Sequence, residues 1–163
     1  QKILWLLREI INSFNSGQSG VGLPLGNLTS QLFANIYLNK FDQFVKHRLK
    51  LKHYIRYADD FVVFSRNKRF LEKQIPLIKN FLKENLKLEI HPKKIFIKTL
   101  ASGVDFLGWV NFFDHRVLRT KTKKRMLKRL KQHPSDETLA SYLGLLLWGN
   151  TEKIKNMVKL LKV

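Results

Sequence analysis

Ile3, Leu4, Leu7, Ile10, Ile11 and Phe14 recur at helical spacing, so the chain opens on an amphipathic helix that ends near Asn15. Ser16, Gly17, Gln18, Ser19, Gly20 and Gly22 then supply a turn-rich break. Leu32, Phe33, Ile36, Tyr37, Phe41, Phe44, Val45 and Leu49 predict a long amphipathic helix over 28–51, with Asn27 as its cap. Residues 53–57 and 61–65 are rich in β-branched and aromatic side chains and predict a hairpin whose strands are separated by Ala58, Asp59 and Asp60. Helical spacing returns over 67–86, where Pro76 is expected to break the helix. Over 88–118 the pattern shortens to three or four antiparallel strands, punctuated by Pro92, Gly103, Gly108 and Asp114-His115. From 119 onward it reads as three helices, divided by Pro134 with Ser135 as a cap and by Gly149-Asn150.

The fold class is therefore α+β, with a change to pure helix near 119 as the one candidate domain boundary. No internal repeat or low-complexity tract is visible. The longest apolar stretch, 142–148, is seven residues long, against about 20 for a membrane-spanning helix. A soluble, cytoplasmic protein is expected. The chain begins at Gln1 without an initiator Met or signal-peptide pattern, and is read as a cut inside a longer protein.

Composition narrows the class further. With 163 residues, 44% of them hydrophobic, the chain can bury a sizeable core and is not intrinsically disordered. Its 31 Lys and Arg against 12 Asp and Glu leave a net charge of +19, which calls for a polyanionic partner. The absence of cysteine excludes a disulfide scaffold, a Cys-ligated zinc site and a thiol nucleophile.

In a chain so poor in acids, Asp59 and Asp60 stand side by side between two apolar runs. Two half-buried carboxylates repel unless a cation offsets them. Mg²⁺ suits such a site, since it takes hard oxygen ligands, and a pair of ions stabilises attacking and leaving oxygens in phosphoryl transfer. The plain alternative is a solvated turn, because turns favour Asp.

The flanking residues resemble a known family. Tyr57, Ala58, Asp59 and Asp60 look like the YxDD catalytic motif of reverse transcriptases. Residues 22–35, GLPLGNLTSQLFAN, are similar to that family's motif B, residues 88–95, LEIHPKKI, to motif D, and residues 104–109, VDFLGW, to the primer-grip hairpin. The four occur in the family's order and approximate spacing. This resemblance implies a right-hand polymerase: a palm over 1–118, with a small antiparallel sheet backed by helices, then a helical thumb over 119–163. It implies that Asp59 and Asp60 are the catalytic, metal-holding pair, positioning two Mg²⁺ ions, or Mn²⁺ in their place, while a primer 3′-hydroxyl attacks a dNTP α-phosphate and pyrophosphate leaves. Leu25, Gly26, Ser30 and Gln31 then belong to the nucleotide and template site. Lys94 matches the motif D lysine near the pyrophosphate, with Lys93 and Lys98 as close neighbours. Phe106, Leu107, Gly108 and Trp109 form the primer grip, although the same side chains suit a hydrophobic core equally well.

Between 116 and 131 stand nine basic residues and no acidic one. Arg119, Lys121, Lys123, Lys124, Arg125 and Lys128 are the candidate contacts to the phosphates of template RNA and an RNA–DNA hybrid, and the bland alternative is a solvated helix face. Leu25 replaces the Gln usual in intron and retroviral enzymes, and Ser30-Gln31 replaces the Ser-Pro usual in intron enzymes; both resemble the diversity-generating retroelement branch. Ser141, Tyr142, Leu143, Gly144 and Gly149-Asn150 resemble a thumb signature common there. That branch implies error-prone copying at template adenines and a small basic accessory protein. A group II intron or retron-type enzyme is the competing enzymatic reading, and a non-catalytic RNA-binding palm is the other. The family's third carboxylate, in motif A, has no counterpart before motif B, where Glu9 is the only acid. The 163-residue chain alone is therefore expected not to polymerise and to aggregate through its unpaired palm surface.

Overall fold

A computed structural model describes residues 2–13 and 28–160, so the expectations for Phe14, Asn15, Leu25, Gly26 and Asn27 lie outside the described residues. Two compact units divide the chain at Lys93 and Lys94, and the change to pure helix near 119 falls inside the second. Among the described residues no helix is long and apolar enough to cross a membrane.

The first unit opens with helix α1 (Lys2–Asn12), none of whose side chains is buried. Helix α2 (Leu28–Gln43) runs into a π-helical turn (Phe44–Arg48), in which Leu49 N–H donates to the Phe44 carbonyl at 3.0 Å. The helix expected to reach residue 51 thus ends in this wider turn, which leaves Val45 fully buried. Strands β1 (Tyr54–Tyr57) and β2 (Asp60–Val63) form a two-stranded antiparallel hairpin with Tyr54 opposite Val63, Arg56 opposite Phe61 and Tyr57 opposite Asp60. The expected three-residue separation is corrected to two: Asp60 opens β2, and only Ala58 and Asp59 make the turn. Ala58 adopts φ 51, a left-handed value that costs an L-residue roughly 1–2 kcal/mol.

Helix α3 (Lys68–Leu86) starts where the Asn67 side chain accepts the Phe70 N–H, and it passes Pro76 without ending. The expected break does not occur. Losing one helical hydrogen bond costs about 3 kcal/mol, whereas burying Ile78, Leu82 and Leu86 beyond the proline returns roughly 1.5–3 kcal/mol each. Those three pack with Leu38, Phe41, Val45 and Leu51 into one core, against which Tyr54, Phe61 and Val63 lie from the hairpin. Phe41, 1% exposed, meets Phe61 edge-on at 5.0 Å, and Phe44 stacks on Phe81 at 4.0 Å.

A polar clamp joins α2 to the hairpin beside this core. Asp42 accepts from Arg56 Nε at 2.8 Å and from Arg56 Nη2 at 2.5 Å, and also from the Tyr54 hydroxyl at 2.7 Å. Arg56 holds the Asp42 carboxyl below its ordinary value through that bidentate hydrogen bond, with Tyr54 and the more distant Lys46 adding to the effect. Burial, then the same carboxylate, pushes the Tyr54 hydroxyl up.

Of the three or four strands expected over 88–118, three form, all of them after residue 103 and in the second unit. Residues 88–103 hold only 3₁₀ turns, at Pro92–Lys94 and Leu100–Ser102. Proline has no donor for a ladder, and the Lys93 N–H turns back onto His91 Nδ1. Strands β3 (Val104–Phe106), β4 (Trp109–Asn111) and β5 (Arg116–Leu118) form an antiparallel sheet in that order. Helices α4 (Thr120–Gln132), α5 (Asp136–Leu146) and α6 (Glu152–Leu160) follow as expected, and Ser135 caps α5 by accepting the Thr138 N–H. Trp109 and Leu118 of the sheet share a core with Met126, Leu130, Leu146 and Val158 of the helices. Gly149 permits that contact, because a Cβ there would fall 2.3 Å from a ring carbon of Trp109.

Replacing Phe41 by Ala should destabilise the first unit by about 3–5 kcal/mol, read as a lowered urea midpoint. Because the Asp42 carboxyl titrates below its unfolded value, its contribution is fully present above that value and is lost as pH falls through the folded one. Asp42→Asn should therefore cost about 2–3 kcal/mol at neutral pH, below the 3–5 of a fully buried pair, and should flatten the stability loss below about pH 4. Urea melts from pH 2 to 7 measure both.

Candidate active site

Asp59 lies in the turn and Asp60 begins β2, so backbone geometry alone keeps the two carboxylates adjacent. Both are exposed, which corrects the expectation of a half-buried pair. Opposite residues of an antiparallel pair share a face. Tyr54, Arg56, Phe61 and Val63 look towards the helices, whereas Ile55, Tyr57, Val62 and Asp60 share the other face, on which Ile55 is 54% and Tyr57 63% exposed. Among the described residues neither Asp59 nor Asp60 forms an ion pair.

The chemistry of this donor set fits a hard divalent cation in part. Two neighbouring carboxylates in water match the one or two that Mg²⁺ commonly takes alongside phosphate oxygens. No third carboxylate or imidazole joins them among the described residues. Asp59 and Asp60 are thus the residues that would hold such an ion, with the rest of its shell left to other oxygens.

One guanidinium organises the turn. Arg56 Nη1 donates to the Ala58 carbonyl at 2.8 Å and to Asn35 Oδ1 at 3.0 Å, while its other nitrogens engage Asp42. Asn35 and Asp42 lie two turns apart on α2, and Gln31 lies one turn before Asn35 on the same stripe. Gln31 is thereby brought to the side of the helix that faces the acidic turn, and it is exposed. Ser30 turns inward, with its hydroxyl enclosed and unpaired among the described residues. Arg56, Asn35 and Asp42 escaped sequence reasoning; the only available signal was an Arg inside an apolar strand and an Asp inside an apolar helix.

Lys93, the last residue of the first unit, and Lys94, the first of the second, are both exposed in a 3₁₀ turn, and Lys98 lies over the Phe96 ring at 5.6 Å. Phe106 and Trp109 close the β3–β4 hairpin, with Leu107 and Gly108 as its turn at φ 54 and 83. Positive φ at both turn residues matches the twist of the flanking strands. Gly108 is accordingly suited to the turn itself. Trp109 is buried, Phe106 half-buried, and Leu107 stands out at the tip. Trp148, which sequence reasoning passed over, joins Phe106, Leu107, Trp109, Asn111 and Arg116 around a cavity of about 290 Å³.

The basic segment sorts into two faces. Lys121, Lys124, Arg125 and Lys128 form one exposed stripe of α4, while Met126 and Leu130 are buried on the other side with Lys123 half-buried between. Arg119 Nη1 donates to Asp105 Oδ2 at 2.9 Å.

Comparison with known proteins bears on this geometry. The chain is 27% identical over 161 residues to the protein YkfC of Escherichia coli K12, an alignment that covers 78% of this chain and 41% of that protein. It is 25% identical over 179 residues to a putative COX1/OXI3 intron 2 protein of Saccharomyces cerevisiae, covering 74% of this chain and 21% of that protein. It thus spans less than half the length of either relative. The family model described as reverse transcriptase (RNA-dependent DNA polymerase) matches residues 5–111, which contain α2, the acidic hairpin, α3 and the β3–β4 hairpin. Two-thirds of the sequence, with the acidic turn at its centre, places this chain in the reverse transcriptase family.

Proposed function

We propose that this chain is the palm and thumb portion of an RNA-directed DNA polymerase that copies template RNA into cDNA from dNTPs. The observation that carries the reading is the two-residue turn presenting Asp59 and Asp60 side by side, exposed and unpaired among the described residues, inside the region matched to the family. A bound pair of divalent ions would supply charge stabilisation at the transferring phosphoryl group. Asp59 and Asp60 hold those ions, Gln31 offers an amide that both donates and accepts towards nucleotide or template, and Lys94 places a positive charge for the departing pyrophosphate. Leu25 and Gly26 complete the nucleotide and template contacts, and Ser30, its hydroxyl enclosed, belongs to that site from behind. The stripe on α4 lies along the phosphates of the RNA–DNA hybrid, a contact that is indifferent to sequence, and Phe106 to Trp109 make the primer grip.

For the branch, Leu25 and Ser30-Gln31 support a diversity-generating retroelement enzyme, with errors at template adenines and a small basic accessory protein. The intron protein among the relatives favours a second reading, an intron-type enzyme. Misincorporation counted base by base separates them: the first reading expects errors concentrated at template adenines and reduced by Leu25→Gln, the second a uniform low rate.

Mg²⁺- or Mn²⁺-dependent dNTP incorporation on a primed RNA tests the activity. An upstream-extended form of the protein should incorporate, the 163-residue chain alone should not, and Asp59→Ala in the extended form should lower the rate at least about 10²-fold. Incorporation that survives Asp59→Ala overturns the catalytic assignment. Anisotropy titrations of an RNA–DNA duplex across KCl should show log affinity falling steeply with log salt, and Lys124→Gln with Lys128→Gln should reduce that slope by about two.

A further inference from the structure

A hairpin of two strands is marginal in water, and the acidic turn adds a left-handed Ala58 to it. Core packing secures the covered face of this hairpin, where Tyr54, Phe61 and Val63 meet the helices, and it reaches as far as Phe61 on the rung of Arg56, leaving the turn residues Ala58 and Asp59 beyond it. Near the turn, the face bearing Asp60 and Tyr57 is open. The only tie between turn and helix shown among the described residues is the guanidinium of Arg56, whose side chain is 10% exposed. It is anchored at one end by the bidentate Asp42 carboxylate and reaches Asn35 Oδ1 and the Ala58 carbonyl at the other.

We propose that Arg56 is the positioning residue of the acidic turn: bridging Asp42 and Asn35 of α2 to the Ala58 carbonyl, it sets the carboxylates of Asp59 and Asp60 at a fixed place relative to the helix that carries Gln31. The inference deepens the polymerase reading and rests on it for its catalytic consequence. Arg56 itself touches neither carboxylate in the structure; it acts through the carbonyl that precedes Asp59. A planar fork of fixed geometry suits this role, because opposite edges of one rigid group meet helix and turn at once. An ammonium on a flexible stem keeps the charge and the ion pair but cannot span both.

The discriminating variant is therefore Arg56→Lys, compared with Tyr54→Phe, which removes a hydrogen bond from the same Asp42 without touching the turn. Mn²⁺ titrations followed by broadening of the Asp59 and Asp60 amide signals are expected to show binding weakened about fivefold or more in Arg56→Lys, and within twofold of the unsubstituted chain in Tyr54→Phe. Equal binding in Arg56→Lys, or equal weakening in both variants, overturns the proposal, since the effect is then absent or merely one of stability. Amide relaxation in the unsubstituted chain gives a second reading that needs no variant to fold and no metal to bind. Order parameters of Ala58, Asp59 and Asp60 near 0.85, as in rigid backbone, support the proposal, and values below 0.6 overturn it. Absence of Mn²⁺ binding to the unsubstituted chain would count against the polymerase reading and leave the relaxation data to decide the role of Arg56. In the extended, polymerising form, Arg56→Lys should lower kcat about tenfold with KM for dNTP unchanged, and an unchanged kcat overturns the catalytic consequence.

Discussion

The first unit depends on helix α2 covering one face of a hairpin that cannot stand alone. Two strands offer each other a single ladder, and everything else that holds them must come from the covered face. Phe41 supplies the apolar half of that cover by presenting its ring edge to Phe61, and Asp42, the next residue, supplies the polar half through Arg56 and Tyr54. A helix that contributes a buried aromatic and a charge-assisted clamp from successive residues fixes both the distance and the rotation of the hairpin beneath it.

Charge is organised as deliberately as packing. The chain carries +19, yet its two chemically informative zones are a local excess of acid and a local excess of base. At the hairpin, the Arg56 guanidinium is engaged by Asp42, and among the described residues no ion pair forms on Asp59 or Asp60. On α4, the apolar residues Met126 and Leu130 turn inward and leave Lys121, Lys124, Arg125 and Lys128 in solvent. The region that places the chain in the reverse transcriptase family, residues 5–111, holds the acidic zone and stops short of the basic one.

Much of this was legible from residues alone. The acidic hairpin, the cap at Ser135 and the three closing helices follow from local rules, in which turn residues, a capping hydroxyl and apolar spacing all agree. The strand face was not legible. In Tyr54-Ile55-Arg56-Tyr57, simple alternation favours burying Ile55 and Tyr57, and the structure does the reverse because Asp42, fourteen residues away, makes an inward arginine tolerable. Proline misled in the opposite sense, since the rule that it ends a helix weighs one lost hydrogen bond and takes no account of three apolar side chains buried beyond it. The stretch 88–103 looked like strand because β-rich composition carries no information about whether a ladder partner exists.

The β1–β2 and β3–β4 hairpins, one in each unit, each turn on two residues of which the first is a non-glycine in the left-handed region: Ala58 at φ 51 and Leu107 at φ 54. So short a connection has no slack. Because side chains alternate with a period of two, a slip of β2 by one residue against β1 would drive Asp60 from the open face into the aromatic layer beneath α2. The register of the two strands therefore decides, more than the identity of residue 58, which face carries Asp60.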